Sequence, residues 1–186
     1  GYDLTRLLIG SGGTLALITE ATLKLLPAPD AVATLRVCFA SSRDALDAVS
    51  RVMHQAVLPC ALEFMDQRAI DAIRPTGAAD DLPPGTHALL MVEADGAAAD
   101  LPRQIAALQQ ALDGNGLLEI RSGFEREAIV QLWAARKSLS HAVKQIAPLK
   151  INEDVVVPVS QLADFVDYID HTAHTHRLAV VSFGHA

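Results

Sequence analysis

Basic residues, cysteines and aromatics are all scarce in this chain of 186 residues. Lys and Arg number 15 against 22 Asp and Glu, a formal net charge of −7. No Lys/Arg cluster offers the positive footprint that a phosphate backbone requires, which argues against nucleic acid as a partner. There are only two cysteines. Cys38 and Cys60 form no CxxC or metal-type spacing. Both lie in apolar stretches, RVCFA and LPCAL, where buried free thiols are expected, and a reducing compartment suits them. No apolar run approaches the roughly 18 residues of a membrane span. No signal-peptide or lipidation pattern is visible. Aromatics make up only 4%, with one tryptophan.

What is abundant is apolar and small. Hydrophobic residues reach 51%, and 31 residues are alanine, which favours helix and close helix packing. This composition is not that of a disordered chain. The length suits one large domain or two small ones, and a domain of this size buries roughly 70% of its unfolded surface without disulfides. The chain opens on Gly1 and stops at Phe183-Gly184-His185-Ala186 straight after an apolar run. It is therefore expected to be a piece of a longer protein.

Residues 1–29 read differently from the rest. Leu4 to Ile9 is mostly apolar, Gly10 to Gly13 is a tight loop, and Thr14 to Leu26 is a β-rich run ended by Pro27 and Pro29. Strand, glycine turn, strand is the economical reading. From residue 30 onward strands alternate with helices. Strands are expected at 32–39, 61–65, 87–94, 117–121, 154–157 and 178–183. Helices are expected at 42–57 (capped by Ser41 or Ser42), 67–73 (capped by Asp66), 101–112 (capped by Asp100), 125–146 (with Pro148 past its end) and 161–174 (capped by Ser160). The loop at 74–86 is rich in Pro, Gly and Asp and is expected to be exposed and mobile. The strands are short and no GxGxxG turn is present. These features favour an α+β fold: a mainly antiparallel sheet with helices on one face, built from two ferredoxin-like units.

Three places could carry chemistry. The first is Gly10-Ser11-Gly12-Gly13-Thr14, where glycines let a ligand approach the backbone and its N–H groups; a plain hairpin turn is the alternative. The second is Trp133 to Ser140. On a helix Arg136 and Ser140 share a face and could grip a carboxylate, with Lys150 as a second cation; a solvated arginine is the alternative. The third is the histidines. His171, His174 and His176 end a helix, where imidazolium suits the dipole, although their spacing resembles a metal cluster. His54, His87 and His141 have no partners in sequence. His185 stands at the end of the last strand.

Three ordered motif blocks, with a strand-to-helix junction between them, carry a family resemblance. Gly1-Tyr2-Asp3-Leu4, the run Ile9 to Thr19 and Leu23 to Pro29 closely resemble the end of the flavin-binding domain in FAD-linked oxidases of the vanillyl-alcohol oxidase type. Gly12 departs from that pattern, where Glu is usual, and so does Ala16, where Gly is usual. Leu132-Trp133…Arg136, then Val155 to Pro158 and Ser160-Gln161-Leu162, are similar to the cap domain of the D-2-hydroxy-acid dehydrogenase branch. That branch includes D-lactate dehydrogenase, the glycolate oxidase flavin subunit and D-2-hydroxyglutarate dehydrogenase. Residues 61–66 resemble the family's strand-to-helix junction, with Asp66 capping and Glu63 inward in structural roles. Gly184-His185-Ala186 resembles the start of its GHxGDGNxH motif.

The resemblance implies residues 1–29 as the C-terminal end of an FAD-binding domain, a β-hairpin remnant, and 30–186 as a substrate-binding cap truncated at its C-terminus. It implies FAD contacts at Gly10, Ser11, Gly13, Thr14, Leu15 and Ile18, and a substrate carboxylate at Arg136, Ser140 and Lys150. It makes His185 a catalytic residue and one ligand of an incomplete site for a divalent metal such as zinc. The implied parent oxidises a D-2-hydroxy acid by hydride transfer to FAD and passes electrons to a quinone, a cytochrome or an electron-transfer flavoprotein. The piece itself is expected to be inactive. A cytoplasmic location, peripheral attachment to the inner membrane and a homodimer are compatible with this reading. A ferredoxin-like sensing or oligomerisation module without redox activity is the alternative.

Overall fold

The computed structural model describes residues 1–147 and 149–186. Its centre is a five-stranded antiparallel sheet of order β4-β1-β3-β2-β5: β1 Ala31–Phe39, β2 Ala61–Met65, β3 Ala88–Gly96, β4 Leu117–Gly123 and β5 Phe183–His185. The α+β class and the antiparallel pairing are as expected. One ferredoxin-like unit is present instead of two: β4-β1-β3-β2, with α2 (Ser42–Met53) crossing from β1 to β2 and α4 (Leu101–Leu112) from β3 to β4. β5 then extends the sheet along the free edge of β2.

The helices cover both faces, which corrects the one-face expectation. β1 and β3 are nearly continuous apolar runs, and such strands are buried on both sides. On one face Ala33, Leu35, Val37 and Phe39 meet Leu90, Val92, Val49 of α2, Leu108 of α4 and Val166 of α7 (Leu162–His176). On the other, Cys38, Met65, Leu89 and Met91 meet Ile70 of α3 (Gln67–Ile73), Leu132 of α5 (Arg126–Leu132) and Leu139 of α6 (Ala134–Ala142). Leu35 and Leu90 have no exposed surface. Truncating a side chain buried in this way to Ala costs about 2–5 kcal/mol.

Side-chain caps fix the starts of α2 and α3. The Ser41 hydroxyl accepts from Asp44 N–H and starts α2. Asp66 Oδ1 accepts from Ala69 N–H at 2.7 Å and starts α3, while its Oδ2 accepts from Ser182 N–H at 2.7 Å. Asp66 thus ties α3 to the approach of β5. Asp100 makes no side-chain cap, and a 3-10 turn at Val159–Gln161, not a Ser160 cap, leads into α7.

Several expectations differ from the structure. In place of the N-terminal hairpin, Leu4–Leu8 forms a short helix, α1, capped by the Asp3 carboxylate. The glycine turn follows, and 15–30 is irregular with Leu17, Leu23, Leu25 and Leu26 exposed. A β-rich composition needs a neighbouring edge to become a strand, and the same holds for 154–157, also irregular. Of the last expected strand, only Phe183 lies within β5. The helix expected at 125–146 is split at Trp133 and ends in a 3-10 turn at Val143–Gln145; Pro148 lies outside the described residues.

The 74–86 loop is anchored, not free. Ala79 and Leu82 join the second-face core. Asp81 receives Arg36 Nη1 on both oxygens, at 2.9 and 2.8 Å, and Arg121 Nη1 at 2.8 Å. Cys38 is buried but Cys60 is exposed, against expectation. Desolvation pushes both thiols up to about 11, so neither is a thiolate at neutral pH.

Candidate functional site

The polar groups of the second sheet face gather where β2, β3 and β5 meet the start of α6. Glu63 lies in β2 between Leu62 and Phe64, so the strand period turns it to the face opposite theirs. Its cross-strand partner on β5 is His185. Glu63 Oε1 lies 2.5 Å from His185 Nδ1, and Glu63 Oε2 accepts from Arg136 Nε at 2.8 Å. The Arg136 guanidinium also sits over the Phe183 ring, 4.9 Å from its centroid, a cation–π arrangement. Phe183 and His185 are two apart on β5 and so share a face.

Burial sorts these groups by role. The Glu63 side chain is 7% exposed, Arg136 21% and His185 91%. A carboxylate so nearly buried requires its partners. Each Glu63 oxygen has one, and the ion pair fixes the guanidinium through Nε alone. The hydrogens of Nη1 and Nη2 make no protein hydrogen bond among the described residues. They form a fork suited to a planar carboxylate. With the ring hydrogen on Nδ1, toward Glu63, Nε2 of the exposed imidazole is left to accept another.

One turn back, Trp133 marks the break between α5 and α6. Its indole N–H donates to Glu93 Oε2 at 2.9 Å, and the Thr34 hydroxyl donates to the same oxygen at 2.7 Å.

Of the residues expected at a substrate site, the structure joins Arg136 and His185 through Glu63. Ser140 is exposed one turn further along α6, and Lys150 is exposed beyond it. Neither makes an ion pair or side-chain hydrogen bond among the described residues. Glu63, read as structural, is the hub. Phe183, Glu93 and Thr34 carried no sequence-level assignment. A signal for the two acids was present: each interrupts an apolar strand, ALEFM or ALLMVEA.

The proposed flavin contacts lie apart, in the N-terminal segment. Gly10, Gly12 and Gly13 have φ of +83°, +59° and +75°, a conformation that glycine adopts freely. An added Cβ at any of them would meet nothing within 4 Å. Thr14 N–H and its hydroxyl both donate to Ser11 O. Leu15 and Ile18 are exposed. Such a turn leaves its backbone open to close approach by a flat group. For a divalent ion, His185 and Glu63 supply two donors, fewer than such an ion takes. Among the described residues no group of three or more His, Cys, Asp or Glu could hold a metal. His171, His174 and His176 are exposed on α7.

Four known families and proteins resemble this chain. The sequence pattern of the C-terminal domain of FAD linked oxidases matches residues 28–186. The glycolate oxidase subunit GlcD of Bacillus subtilis is 33% identical over 186 residues, covering 100% of this chain and 39% of that protein. The mitochondrial D-lactate dehydrogenase [cytochrome] of Arabidopsis thaliana is 32% identical over 189 residues, covering 100% of this chain and 33% of that protein. This chain therefore spans under two fifths of either relative. Among solved structures, an alkyldihydroxyacetonephosphate synthase shares the fold, with a TM-score of 0.69 at 17% identity over 98% of this chain and 39% of that one.

Proposed function

The chain belongs to the FAD-linked oxidases, as a C-terminal domain of that family, and from this premise we propose that it is the substrate-binding cap of a flavin-dependent enzyme oxidising a D-2-hydroxy acid of the lactate, glycolate or 2-hydroxyglutarate type. The observation that carries the reading is Arg136: Nε is fixed by Glu63, the Nη fork has no protein partner among the described residues, and an exposed imidazole lies against the other Glu63 oxygen. The names of the relatives support the substrate class.

In this reading the substrate carboxylate docks on Nη1 and Nη2 of Arg136. Ser140 and Lys150 supply further polar contacts from α6 and the segment after it. His185 Nε2 accepts the proton of the 2-hydroxyl, while Glu63 holds the ring through Nδ1 and balances the imidazolium that forms. Phe183 shields one face of the guanidinium from water and so strengthens its hold on an anion. FAD, when bound, supplies the acceptor for the hydride leaving the substrate Cα. Residues 1–29 form the flavin side and 30–186 the cap. The family match from residue 28 and the first strand at Ala31 support that division. The 186-residue chain alone is inactive.

The electron acceptor is a cytochrome, a quinone or an electron-transfer flavoprotein, the first suggested by one relative's name. No described helix is long and apolar enough to cross a membrane, and the proposed setting is the cytoplasm. The strand order would also suit a ferredoxin-like sensing module, but the family match favours the oxidoreductase.

The test is a panel of D- and L-2-hydroxy acids mixed anaerobically with the full-length flavoprotein, read by loss of flavin absorbance. Bleaching by at least one of D-lactate, glycolate and D-2-hydroxyglutarate, and by no L-enantiomer, is expected. A flavin that dithionite reduces but no 2-hydroxy acid does would overturn the proposal.

A further inference from the structure

Arg136 occupies a defined place on the sheet, and Glu63 supplies only half of the reason. Trp133 and Arg136 are three residues apart, so they lie on adjacent turns of one helical surface. Beneath them, the β2–β3 register sets Glu63 opposite Met91 and Ala61 opposite Glu93. Glu63 and Glu93 are therefore diagonal neighbours on the same sheet face. The two spacings match: Trp133 donates to Glu93 and Arg136 donates to Glu63.

Three further observations show that this second attachment is built. Glu93 Oε2 receives two donors, the indole N–H at 2.9 Å and the Thr34 hydroxyl at 2.7 Å. Thr34 has no exposed surface and is the cross-strand partner of Glu93 on β1, so the carboxylate is fixed from the sheet side. Trp133 is also the residue at which the helix breaks: it ends α5 and precedes α6. No Gly or Pro lies between residues 126 and 142 to cause a break.

We propose that Glu93 is a positioning residue for the substrate anchor: by holding the Trp133 indole at the α5–α6 junction, it sets the height and rotation of α6 and so aims the Nη fork of Arg136 at the substrate carboxylate. This rests on the proposed role of Arg136 and adds a residue that never touches substrate. Glu93 acts through a hydrogen bond to a neutral N–H, so its acceptor oxygen is what counts. A glutamine, which keeps a carbonyl acceptor, should serve in its place. An alanine would release the indole, and a misaimed guanidinium weakens binding of an anion without altering the reacting atoms.

The experiment compares Glu93→Ala, Glu93→Gln, Trp133→Phe, the Glu93→Ala/Trp133→Phe double variant and Arg136→Ala in the full-length flavoprotein. Steady-state kinetics are taken with whichever 2-hydroxy acid bleaches the flavin. Glu93→Ala is expected to raise KM about tenfold, the loss of one hydrogen bond to a charged acceptor, with kcat within about twofold of wild type. Glu93→Gln should restore the wild-type KM. Trp133→Phe, which keeps the ring and loses the N–H, should match Glu93→Ala, and the double variant should add nothing to either.

A second readout needs no flavin. Trp133 is the only tryptophan of the 186-residue chain. In that chain its emission should shift to the red and become accessible to iodide in Glu93→Ala, but not in Glu93→Gln. An unchanged KM in Glu93→Ala, beside a raised one in Arg136→Ala, would overturn this inference and leave the anchor standing. A Glu93→Gln variant as impaired as Glu93→Ala would also overturn it, as would unchanged emission in Glu93→Ala. If Arg136→Ala itself is silent, both readings fall.

Discussion

Two acidic side chains, Glu63 and Asp66, lie three residues apart at the end of β2 and do opposite things with their charge. Glu63 has a partner for each oxygen, one of them a guanidinium. Among the described residues Asp66 has only two backbone N–H donors, and desolvation outweighs them, raising its acid from 3.8 to about 6. Between those values the folded state holds a proton that the unfolded state has lost. The contribution of Asp66 is therefore greatest at low pH and falls as pH rises from about 4 to about 6. Asp66→Asn removes the titration and keeps the acceptor for Ala69 N–H. We expect the stability of wild type relative to this variant to decline across that window, measured by thermal unfolding at pH 4, 5, 6 and 7. A constant difference would show that Asp66 titrates normally. At this scale Arg136 and His185 were legible as candidates because their motif blocks are distinctive. Glu63 as a hub was not, since a β2–β5 pairing 122 residues apart in sequence leaves no local trace.

Elements with their own start signal were the legible ones. Ser41 and Asp66 cap α2 and α3 where expected. The strands at 61–65 and 88–96 follow their apolar runs between turn residues. Elements decided by a neighbour were not legible. The Val155-Val156-Val157 run has strand propensity but no partner edge, and α5–α6 breaks at Trp133, whose indole is held by a glutamate 40 residues away. The junction of β4 with α5 gives a test at this scale. Gly123 ends β4, and a Cβ there would lie 2.9 Å from Leu132 Cδ1 and 3.2 Å from backbone atoms of Ala128 and Ile129. Neither α5 backbone atom can yield without moving the helix. Gly123→Ala is expected to destabilise by about 1–3 kcal/mol, the usual cost of overpacking, read from a lowered urea midpoint. An unchanged midpoint would mean that α5 rides loosely on the sheet.

For the whole molecule, the sheet separates two tasks. One face, under α2, α4 and α7, is wholly core. The other begins as core under α3 and α6 and ends in the Glu63, Arg136 and His185 cluster at the β5 edge. The fold class was legible from the alternation of short elements. The two-faced cover follows from β1 and β3 being nearly continuous apolar runs, interrupted by Thr34, Arg36, Glu93 and Asp95. The N-terminal glycine segment stands apart with its leucines exposed, and its place beside a flavin belongs to the proposal. The central claim is that the cap holds its substrate by the carboxylate through Arg136. It is tested most directly by anaerobic flavin reduction in the full-length protein, with the rate and substrate Kd of wild type set against Arg136→Ala. The account predicts that the ratio of reduction rate to Kd falls by roughly 100-fold or more in the variant, as for loss of a charged anchor. The same rate and the same Kd in both proteins would contradict it.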